Sequence, residues 1–251
     1  MSQHQLDNTH GLAEIQGQLL EIMKFIHELC VKNDIQYSLT GGSLLGAIRG
    51  GGFIPWDDDF DIMMDRENHE KFLAVMRAYE GDDYLLEADQ WVYRVRKESR
   101  VYEYVASIDL FVLDRVPESS LANKLQVLSL RVIQGMLRDN RKMGDFSLFY
   151  RLCIWGTSVL GKLFNKDKLL VKYDKISRKG NSGNGKQLSI FNDRFKLLSI
   201  KYDESLMENY ELHDFEDTQF MITAKYHDYL TLQFGDYMQL PPEEDRKPMH
   251  I

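Results

Sequence analysis

The feature that most constrains the fold is a run of four aspartates within five residues: Asp57, Asp58, Asp59 and Asp61. Carboxylates this close repel one another, so a folded protein keeps them together only where positive charge offsets the repulsion. The run enters an apolar segment in which Asp59 and Asp61 would share one face of a strand, with Phe60 and Ile62 on the other. Two such carboxylates offer oxygen ligands, which suit Mg²⁺ or Mn²⁺ better than zinc.

A calcium-binding EF-hand loop does not explain this run. Asp57, Asp59 and Asp61 match its first, third and fifth positions, but Ile62 stands where glycine is needed and Asn68 where glutamate is needed. A solvated acidic loop fits poorly as well, because the run follows an aromatic segment and continues into an apolar one.

A glycine-rich segment precedes the aspartates. The pattern predicts a short strand over 35–40, a tight turn at Gly41-Gly42, and a helix that starts over Ser43 to Ile48. Glycines let the backbone approach a phosphate, and the N-terminus of the following helix presents N–H groups to it. Gly50-Gly51-Gly52 then predicts a flexible loop.

Periodicity predicts further elements along the chain. Apolar residues at steps of three and four indicate a helix over 11–33, and Asp65 is a good N-cap for a helix over 66–79. Segments 91–97 and 104–113 are rich in β-branched and aromatic residues and predict two strands.

The middle of the chain is basic within an acidic protein. The net charge is −8, yet residues 121–190 hold 14 Lys and Arg against four acids. Their pattern is helical, with breaks near Gly144 and Asn165, and residues 180–187 predict a polar loop. Such a region suggests an anionic partner, either a phosphate-rich substrate or a membrane face. No nucleic-acid-binding signature is present.

One part of this region suggests contact with a membrane. Residues 146–164 are rich in large apolar side chains and carry only two charges, Arg151 and Lys162, and lysines follow to Lys186. The segment 146–186 therefore predicts peripheral contact with an anionic membrane. The alternative is a buried core helix with a solvated basic neighbour.

Compartment is indicated by what the sequence lacks. No apolar run reaches the roughly 18 residues of a membrane span, and the N-terminus is too polar for a signal peptide. Cys30 and Cys153 lie in apolar helical patterns and predict small buried side chains rather than a disulfide. We expect a cytoplasmic protein, placed peripherally on the inner face of the cytoplasmic membrane.

The order of these features predicts the fold. The arrangement is similar to the nucleotidyltransferase fold: a strand, a Gly-Gly-Ser turn, a helix, an Asp-x-Asp strand and a later carboxylate, Asp109. We expect an α/β (α+β) fold with a small mixed sheet and flanking helices. The core would span 1–118, a basic helical insertion 119–190, and a segment that returns to the core 191–251. Asp109 interrupts an apolar run, so it requires a partner.

Longer strings carry a more specific resemblance. Residues 37–64, YSLTGGSLLGAIRGGGFIPWDDDFDIMM, closely resemble the LicD family of phosphocholine transferases, which includes the fukutin-like proteins. SIDLFVLD (107–114) and YLTLQFGDYMQLPPEEDR (229–246) resemble its middle and C-terminal segments. Gly50-Gly51-Gly52 departs from the family, where many members carry a basic or polar residue after Arg49.

The resemblance implies transfer of phosphocholine, or a related alcohol phosphate, from CDP-choline or another CDP-alcohol, with CMP as leaving group. The acceptor would be a hydroxyl of a lipid-linked glycopolymer precursor, such as teichoic acid or lipopolysaccharide. Asp59 and Asp61 would hold Mg²⁺ (or Mn²⁺), and Asp109 would either complete a second metal site or take the acceptor proton. The rivals are an Asp-x-Asp glycosyltransferase and a non-catalytic protein that binds a polymer or a lipid head group.

Further residues are assigned to substrate binding as hypotheses: Gly41, Gly42, Ser43, Arg49, Trp56, Asp58, Arg246 and His250. Arg49 would clamp a phosphate or simply be solvated, and Trp56 would pack on the nucleotide or only hold its loop. The tail that carries Arg246 would reach the phosphates or remain an exposed terminus. Four aromatic residues are candidates for the choline ammonium, with core packing as their alternative: Trp91, Tyr93, Tyr102 and Tyr104.

Overall fold

The computed structural model describes residues 11–89, 91–97, 105–138 and 148–248, with backbone alone for residue 89 and for 148–154. The chain divides into two compact units. The first comprises Met1–Asp89, Tyr93–Val112 and Glu204–Ile251, and the second Gln90–Val92 and Leu113–Asp203.

The chain contains both helices and strands, so the predicted mixed α/β class is confirmed. The helices are α1 (Leu12–Lys32), α2 (Gly41–Gly50), α3 (Arg66–Arg77), α4 (Ser120–Leu137), α5 (Leu148–Gly161), α6 (Lys166–Ser177) and α7 (Tyr226–Phe234). The strands are β1 (Ser38–Leu39), β2 (Phe60–Asp65), β3 (Tyr84–Asp89), β4 (Val92–Lys97), β5 (Ser107–Arg115), β6 (Gln187–Ile190), β7 (Tyr202–Asp203), β8 (Tyr210–Phe215) and β9 (Thr218–Thr223).

The first unit is built on a sheet with the strand order β1-β2-β5-β4-β3. Strands β1 and β2 are antiparallel, with Ser38 opposite Met63. Strands β4 and β5 are also antiparallel, with Arg94 opposite Asp109. This order makes β2 and β5, the two strands that carry the predicted catalytic aspartates, direct neighbours.

A cluster of aromatic side chains attaches the C-terminal hairpin β8–β9 to β2. Phe53, Phe60, Phe215 and Phe220 approach one another with ring centroids 5.0 to 6.1 Å apart. Edge-to-face pairs of this kind contribute about 0.5–1.5 kcal/mol each beyond the area they bury. The cluster therefore fixes the strand that carries Asp61.

Several local predictions are confirmed and two need correction. The predicted N-cap is present, because the backbone N–H of Asn68 donates to Asp65 Oδ1 at 2.8 Å. Strand β1, however, covers only two residues of the predicted 35–40. Helix α2 begins at Gly41 rather than after a Gly41-Gly42 turn, and Gly50 is still helical. The carbonyl of Thr40 accepts the first helical hydrogen bond, from the N–H of Leu44 at 3.1 Å, and glycine tolerates the φ of +55° at Gly41, so the helix begins two residues earlier than predicted.

The second unit contains α4, α5, α6 and the strand pairs β5–β6 and β6–β7. Its core joins Leu130, Tyr173 and Phe191 with other apolar residues of the same unit. Helix α6 begins after Asn165, whose side chain accepts from the N–H of Lys168 at 3.0 Å, so the predicted break there is confirmed. The predicted break near Gly144 lies outside the described residues.

The cysteine prediction is confirmed for Cys30, which is fully buried in α1 and free of any disulfide. Burial raises the pKa of its thiol well above the ordinary range, so the thiolate is disfavoured. The side chain of Cys153 lies outside the described residues.

Candidate active site

The first turn of α2 lies directly against the aspartates, and two glycines make this approach possible. A Cβ added at Gly42 would lie 2.4 Å from Asp57 Oδ2, closer than side chains approach, and one at Gly41 would lie 3.4 Å from Asp61 Oδ2. The glycines thus form a cradle that any side chain at position 42 would fill. Helix N-terminal N–H groups carry partial positive charge, so this placement offsets part of the carboxylate repulsion.

Ser43 positions the strand that carries Asp61. The backbone N–H of Asp61 donates to Ser43 Oγ at 2.9 Å, and the N–H of Thr40 donates to the carbonyl of Asp61 at 3.2 Å. Ser43 is buried. Its hydroxyl therefore holds the protein backbone, and contact with a substrate at Ser43 stays a prediction.

The four aspartates occupy different environments. Asp58 is completely buried, whereas Asp57, Asp59 and Asp61 are half-buried. Phe60 and Ile62 are fully buried, so the alternation predicted for this strand is confirmed. The carboxylate oxygens that remain accessible at this site belong to Asp57, Asp59 and Asp61.

Burial and mutual repulsion change the protonation of Asp57. Burial, the neighbouring charge of Asp59, a hydrogen bond to the Asp59 side chain and the charge of Asp58 together raise the pKa of its carboxyl to about 8. At neutral pH Asp57 holds a proton that it shares with Asp59. A proton held against repulsion in this way marks a place where a cation would bind favourably.

Asp109 lies on β5, beside β2, and is paired with Arg94 across the neighbouring strand. Arg94 Nε donates to Asp109 Oδ1 at 2.5 Å and Arg94 Nη2 donates to Oδ2 at 3.1 Å. The predicted need for a partner is confirmed, and the partner is a two-pronged guanidinium. Both carboxylate oxygens are engaged, so a metal or a proton would compete with Arg94 for them.

The donor set at the aspartates fits a hard divalent cation. Within the described parts of the chain no three His, Cys, Asp or Glu side chains are grouped so as to hold one ion. Mg²⁺ does not require such a group, because it usually binds through one or two carboxylates with substrate phosphates and water as its other ligands. Asp59 and Asp61 supply oxygen donors beside a glycine cradle, and the metal site stays a prediction.

Two arginines lie next to each other beside this segment. Arg49, in the last turn of α2, donates through Nη2 to the carbonyl of Gln239 at 2.8 Å. Burial and the charge of Arg246 lower the pKa of Arg49. The Arg246 guanidinium lies 5.7 Å from the centre of the Trp56 ring and donates through Nε to Pro241 O at 2.9 Å. Like charges this close favour an anion between them.

Near Arg246, which is half-buried, the C-terminal segment passes close to Trp56. That this tail reaches the phosphates, and is not an exposed terminus, stays a prediction. His250 lies outside the described residues. Contact of Arg49, Trp56 and Arg246 with a substrate stays a prediction.

Sequence reasoning missed Tyr229, which lies on α7 and is buried. Its hydroxyl is 2.5 Å from Thr40 Oγ1 and accepts from the N–H of Gly41 at 3.4 Å. It therefore anchors the residue before α2 and the first residue of the helix. Tyr229 opens the string 229–246 that resembles the LicD C-terminal segment, and this was its only signal in the sequence.

Sequence reasoning also missed Glu216, in the turn between β8 and β9. Its Oε1 accepts from the N–H of Phe53 at 3.0 Å and its N–H donates to Gly51 O at 2.7 Å. A Cβ at Gly52 would lie 2.1 Å from the Glu216 carboxylate. The glycine loop predicted to be flexible is thus held by backbone and side-chain hydrogen bonds to the hairpin.

The choline candidates have separate surroundings. The Trp91 ring stacks on Tyr173 at 5.6 Å in the second unit, which supports its packing alternative. The Tyr93 ring in the first unit lies 6.0 Å from the Arg77 guanidinium and 5.8 Å from His69. Tyr102 and Tyr104 lie outside the described residues. An aromatic site for a quaternary ammonium stays a prediction.

Comparison with known proteins places this geometry in context. Residues 34–118 match the family model described as LicD/FKTN/FKRP, nucleotidyltransferase domain. The chain is 29% identical over 274 residues, 96% of each chain, to a Haemophilus influenzae protein named lipopolysaccharide cholinephosphotransferase LicD. It is 33% identical over 99 residues to an uncharacterised protein of Rickettsia typhi, covering 39% of this chain and 29% of that one. A similar protein of Rickettsia prowazekii is 31% identical over 110 residues, 40% of each chain.

Proposed function

We propose that this protein transfers phosphocholine, or a related alcohol phosphate, from a CDP-alcohol, because residues 34–118 match the LicD/FKTN/FKRP nucleotidyltransferase domain. The acceptor is a hydroxyl of a cell-surface glycopolymer precursor, and CMP is released. The name of the Haemophilus influenzae relative, which aligns over nearly the whole of both chains, supports phosphocholine as the group and lipopolysaccharide as the acceptor.

The observation that carries the proposal is the carboxylate cluster against the glycine cradle of α2. Asp57 keeps a proton at neutral pH because its carboxyl is buried and lies beside the charges of Asp59 and Asp58. Asp59 and Asp61 would hold a divalent cation, which would balance the negative charge of this cluster and neutralise charge on the phosphates of the donor. Because Gly41 and Gly42 lack side chains, the Asp61 and Asp57 carboxylates lie against the first turn of α2, and the N–H groups of that turn would meet donor phosphates bound beside the carboxylates.

Arg49 and Arg246 bind the donor phosphates from the other side. Both guanidinium groups are tied to backbone carbonyls, Arg49 to Gln239 and Arg246 to Pro241, so they are oriented before the substrate arrives. Preorganised positive charge stabilises phosphoryl oxygens where negative charge develops. Trp56, beside Arg246, supplies an aromatic face for the nucleotide base.

The reaction then needs alignment more than covalent chemistry. The acceptor oxygen forms a bond to the phosphorus that carries the alcohol, and the bond from that phosphorus to the bridging oxygen of CMP breaks. The acceptor hydroxyl proton leaves with a base. Asp109 serves as that base once Arg94 has moved from at least one of its oxygens, or it holds a second cation in the same position.

The test is release of CMP from four donors in the presence of Mg²⁺ or Mn²⁺: CDP-choline, CDP-ethanolamine, CDP-glycerol and CDP-ribitol. Asp59→Asn and Asp61→Asn should each lower turnover by on the order of 10² or more, because a metal contributes several kcal/mol at the transition state. Asp217→Asn is the matched control, since Asp217 is paired with Lys24 on the surface. Near-normal turnover in both site variants would refute the assignment.

The same assay separates the rival functions. Release of UDP from a UDP-sugar without release of CMP would favour the Asp-x-Asp glycosyltransferase. Metal-independent binding of lipopolysaccharide without turnover of any CDP-alcohol would favour a non-catalytic binding protein.

A further inference from the structure

Helix α4 presents apolar side chains on two opposite faces. Val127, Leu130 and Ile133 pack into the core of the second unit. The opposite face carries four large apolar side chains at steps of four, three and four, each 41 to 67% exposed: Leu121, Leu125, Leu128 and Val132. A helix that is apolar on both faces is expected to be covered on both, so this stripe calls for a second contact.

The end of α5 and the turn after it add a second group of exposed apolar side chains, 42 to 79% exposed: Trp155, Val159, Leu160, Leu163 and Phe164. This end of α5 packs closely on α4. A Cβ at Gly135 would lie 2.3 Å from Thr157 Oγ1, and one at Gly161 would lie 2.1 Å from the carbonyl of Met136. The two groups therefore sit on adjoining helices, and we call them together the α4–α5 surface.

This surface stands out from the rest of the molecule. Ten of the sixteen large apolar side chains that the described residues expose lie between Leu121 and Val171. The buried-helix alternative for segment 146–186 is therefore wrong for the described end of α5. Among the described residues, no helix is long and apolar enough to cross a membrane.

The charges around the α4–α5 surface indicate which kind of partner binds to it. Helix α4 contains no acidic residue, and exposed lysines flank both groups: Lys124, Lys162, Lys166, Lys168 and Lys172. A second copy of the chain would bring like charges together. Protein interfaces are depleted of lysine at their centres, whereas segments that lie in a membrane interface combine Trp, Phe and Leu with lysines.

We propose that the α4–α5 surface docks on an anionic phospholipid bilayer, with its apolar side chains in the interface and its lysines at the head groups. This extends the predicted membrane segment to α4, which sequence patterns had assigned only to a basic helical region. The inference goes beyond the proposed function, and it is measured without any CDP-alcohol or acceptor.

The test is co-sedimentation of the full chain with vesicles of phosphatidylcholine alone or mixed with phosphatidylglycerol. We expect binding to the anionic vesicles only, with weakening as salt rises. Leu125→Glu combined with Leu128→Glu should lower the affinity at least tenfold. Each of Lys166→Gln and Lys168→Gln should lower it about fivefold, which corresponds to about 1 kcal/mol per charge near an anionic leaflet.

Val31→Glu is the matched control, because Val31 lies on a helix of the first unit and is 56% exposed, against 55% for Leu125. It should bind like the wild type. Circular dichroism checks that each variant folds. If the variant with Leu125→Glu and Leu128→Glu does not fold, Leu125→Gln is used in its place. Equal recovery with neutral and anionic vesicles, or unchanged binding in the leucine variant, overturns the proposal. So does self-association of the wild type that the leucine variant abolishes, because a second copy then covers this face.

Discussion

Replacing Asp57 by asparagine should stabilise the protein at neutral pH and remove part of its pH dependence. In the folded protein burial and the charges of Asp59 and Asp58 raise the pKa of Asp57 to about 8, from an ordinary value of 3.8. The folded state therefore binds a proton that the unfolded state has already released. The contribution of Asp57 to stability is fully present below the pKa that it has in the unfolded state, and it is lost as the pH rises towards the folded-state pKa of about 8.

The magnitude follows from one proton. Between the two pKa values the free energy of unfolding should fall by about 1.4 kcal/mol per pH unit because of Asp57 alone. The interval from pH 6.5 to 8 is the cleanest. Most of the titration of Asp193, whose pKa is raised to about 6 by burial, lies below this interval, and His27, whose pKa is lowered by burial, is present in both the wild type and Asp57→Asn, so its contribution cancels in their comparison. Across this interval the free energy of unfolding should fall by about 1.5–2 kcal/mol because of Asp57.

The assay is urea unfolding of the wild type, Asp57→Asn and Asp217→Asn at several pH values in this interval. Asp217 is the control because its hydrogen bond to Lys24 lowers its pKa, so it is ionised throughout. The wild type and the control should lose the same stability, and Asp57→Asn should lose about 1.5–2 kcal/mol less. Mg²⁺ at pH 8 should restore stability to the wild type, because a cation replaces the missing proton. Parallel pH profiles for the wild type and Asp57→Asn would refute the reasoning.

Three further predictions concern the neighbouring residues. Gly42→Ala places a methyl group 2.4 Å from the Asp57 carboxylate, so we expect the protein to lose about 1–3 kcal/mol of stability and to bind Mg²⁺ more weakly. Thermal unfolding and calorimetry measure the two effects. An unchanged Mg²⁺ affinity would contradict a role of the glycine cradle in cation binding. Arg246→Ala should raise the KM for the CDP-alcohol about tenfold, because a hydrogen bond to a charged group contributes about 1.5–3 kcal/mol. The circular dichroism spectrum should remain unchanged. An unaltered KM would mean that Arg246 only packs against Trp56. If Asp109 is the base, Asp109→Asn should abolish CMP release while donor binding stays intact, whereas a parallel loss of metal affinity would make Asp109 a metal ligand. Arg94→Gln should lower turnover less than Asp109→Asn does. The reverse order would argue that Asp109 serves only as a structural ion-pair partner of Arg94.

The features that the sequence predicted well depend on residues close together in the chain. The helix over 11–33 is confirmed as Leu12–Lys32, because its apolar period is a local property. The Asp65 cap is confirmed because a cap needs only the next turn of chain. The aspartate strand followed from alternation over a few residues. The start of α2 was misplaced, since Gly-Gly is compatible with both a turn and a helical first turn, and local pattern does not choose between them.

The sequence by itself thus determined the mixed α/β class and the carboxylate strand, because period, capping and residue type act within one segment. Tertiary structure decided which partners meet: Arg94 for Asp109, Arg246 for Arg49, and Tyr229 for Thr40. The last two pairs lie 197 and 189 residues apart in sequence. Such contacts depend on the order of strands in the sheet and on the return of the C-terminal segment, and no local period encodes either of these.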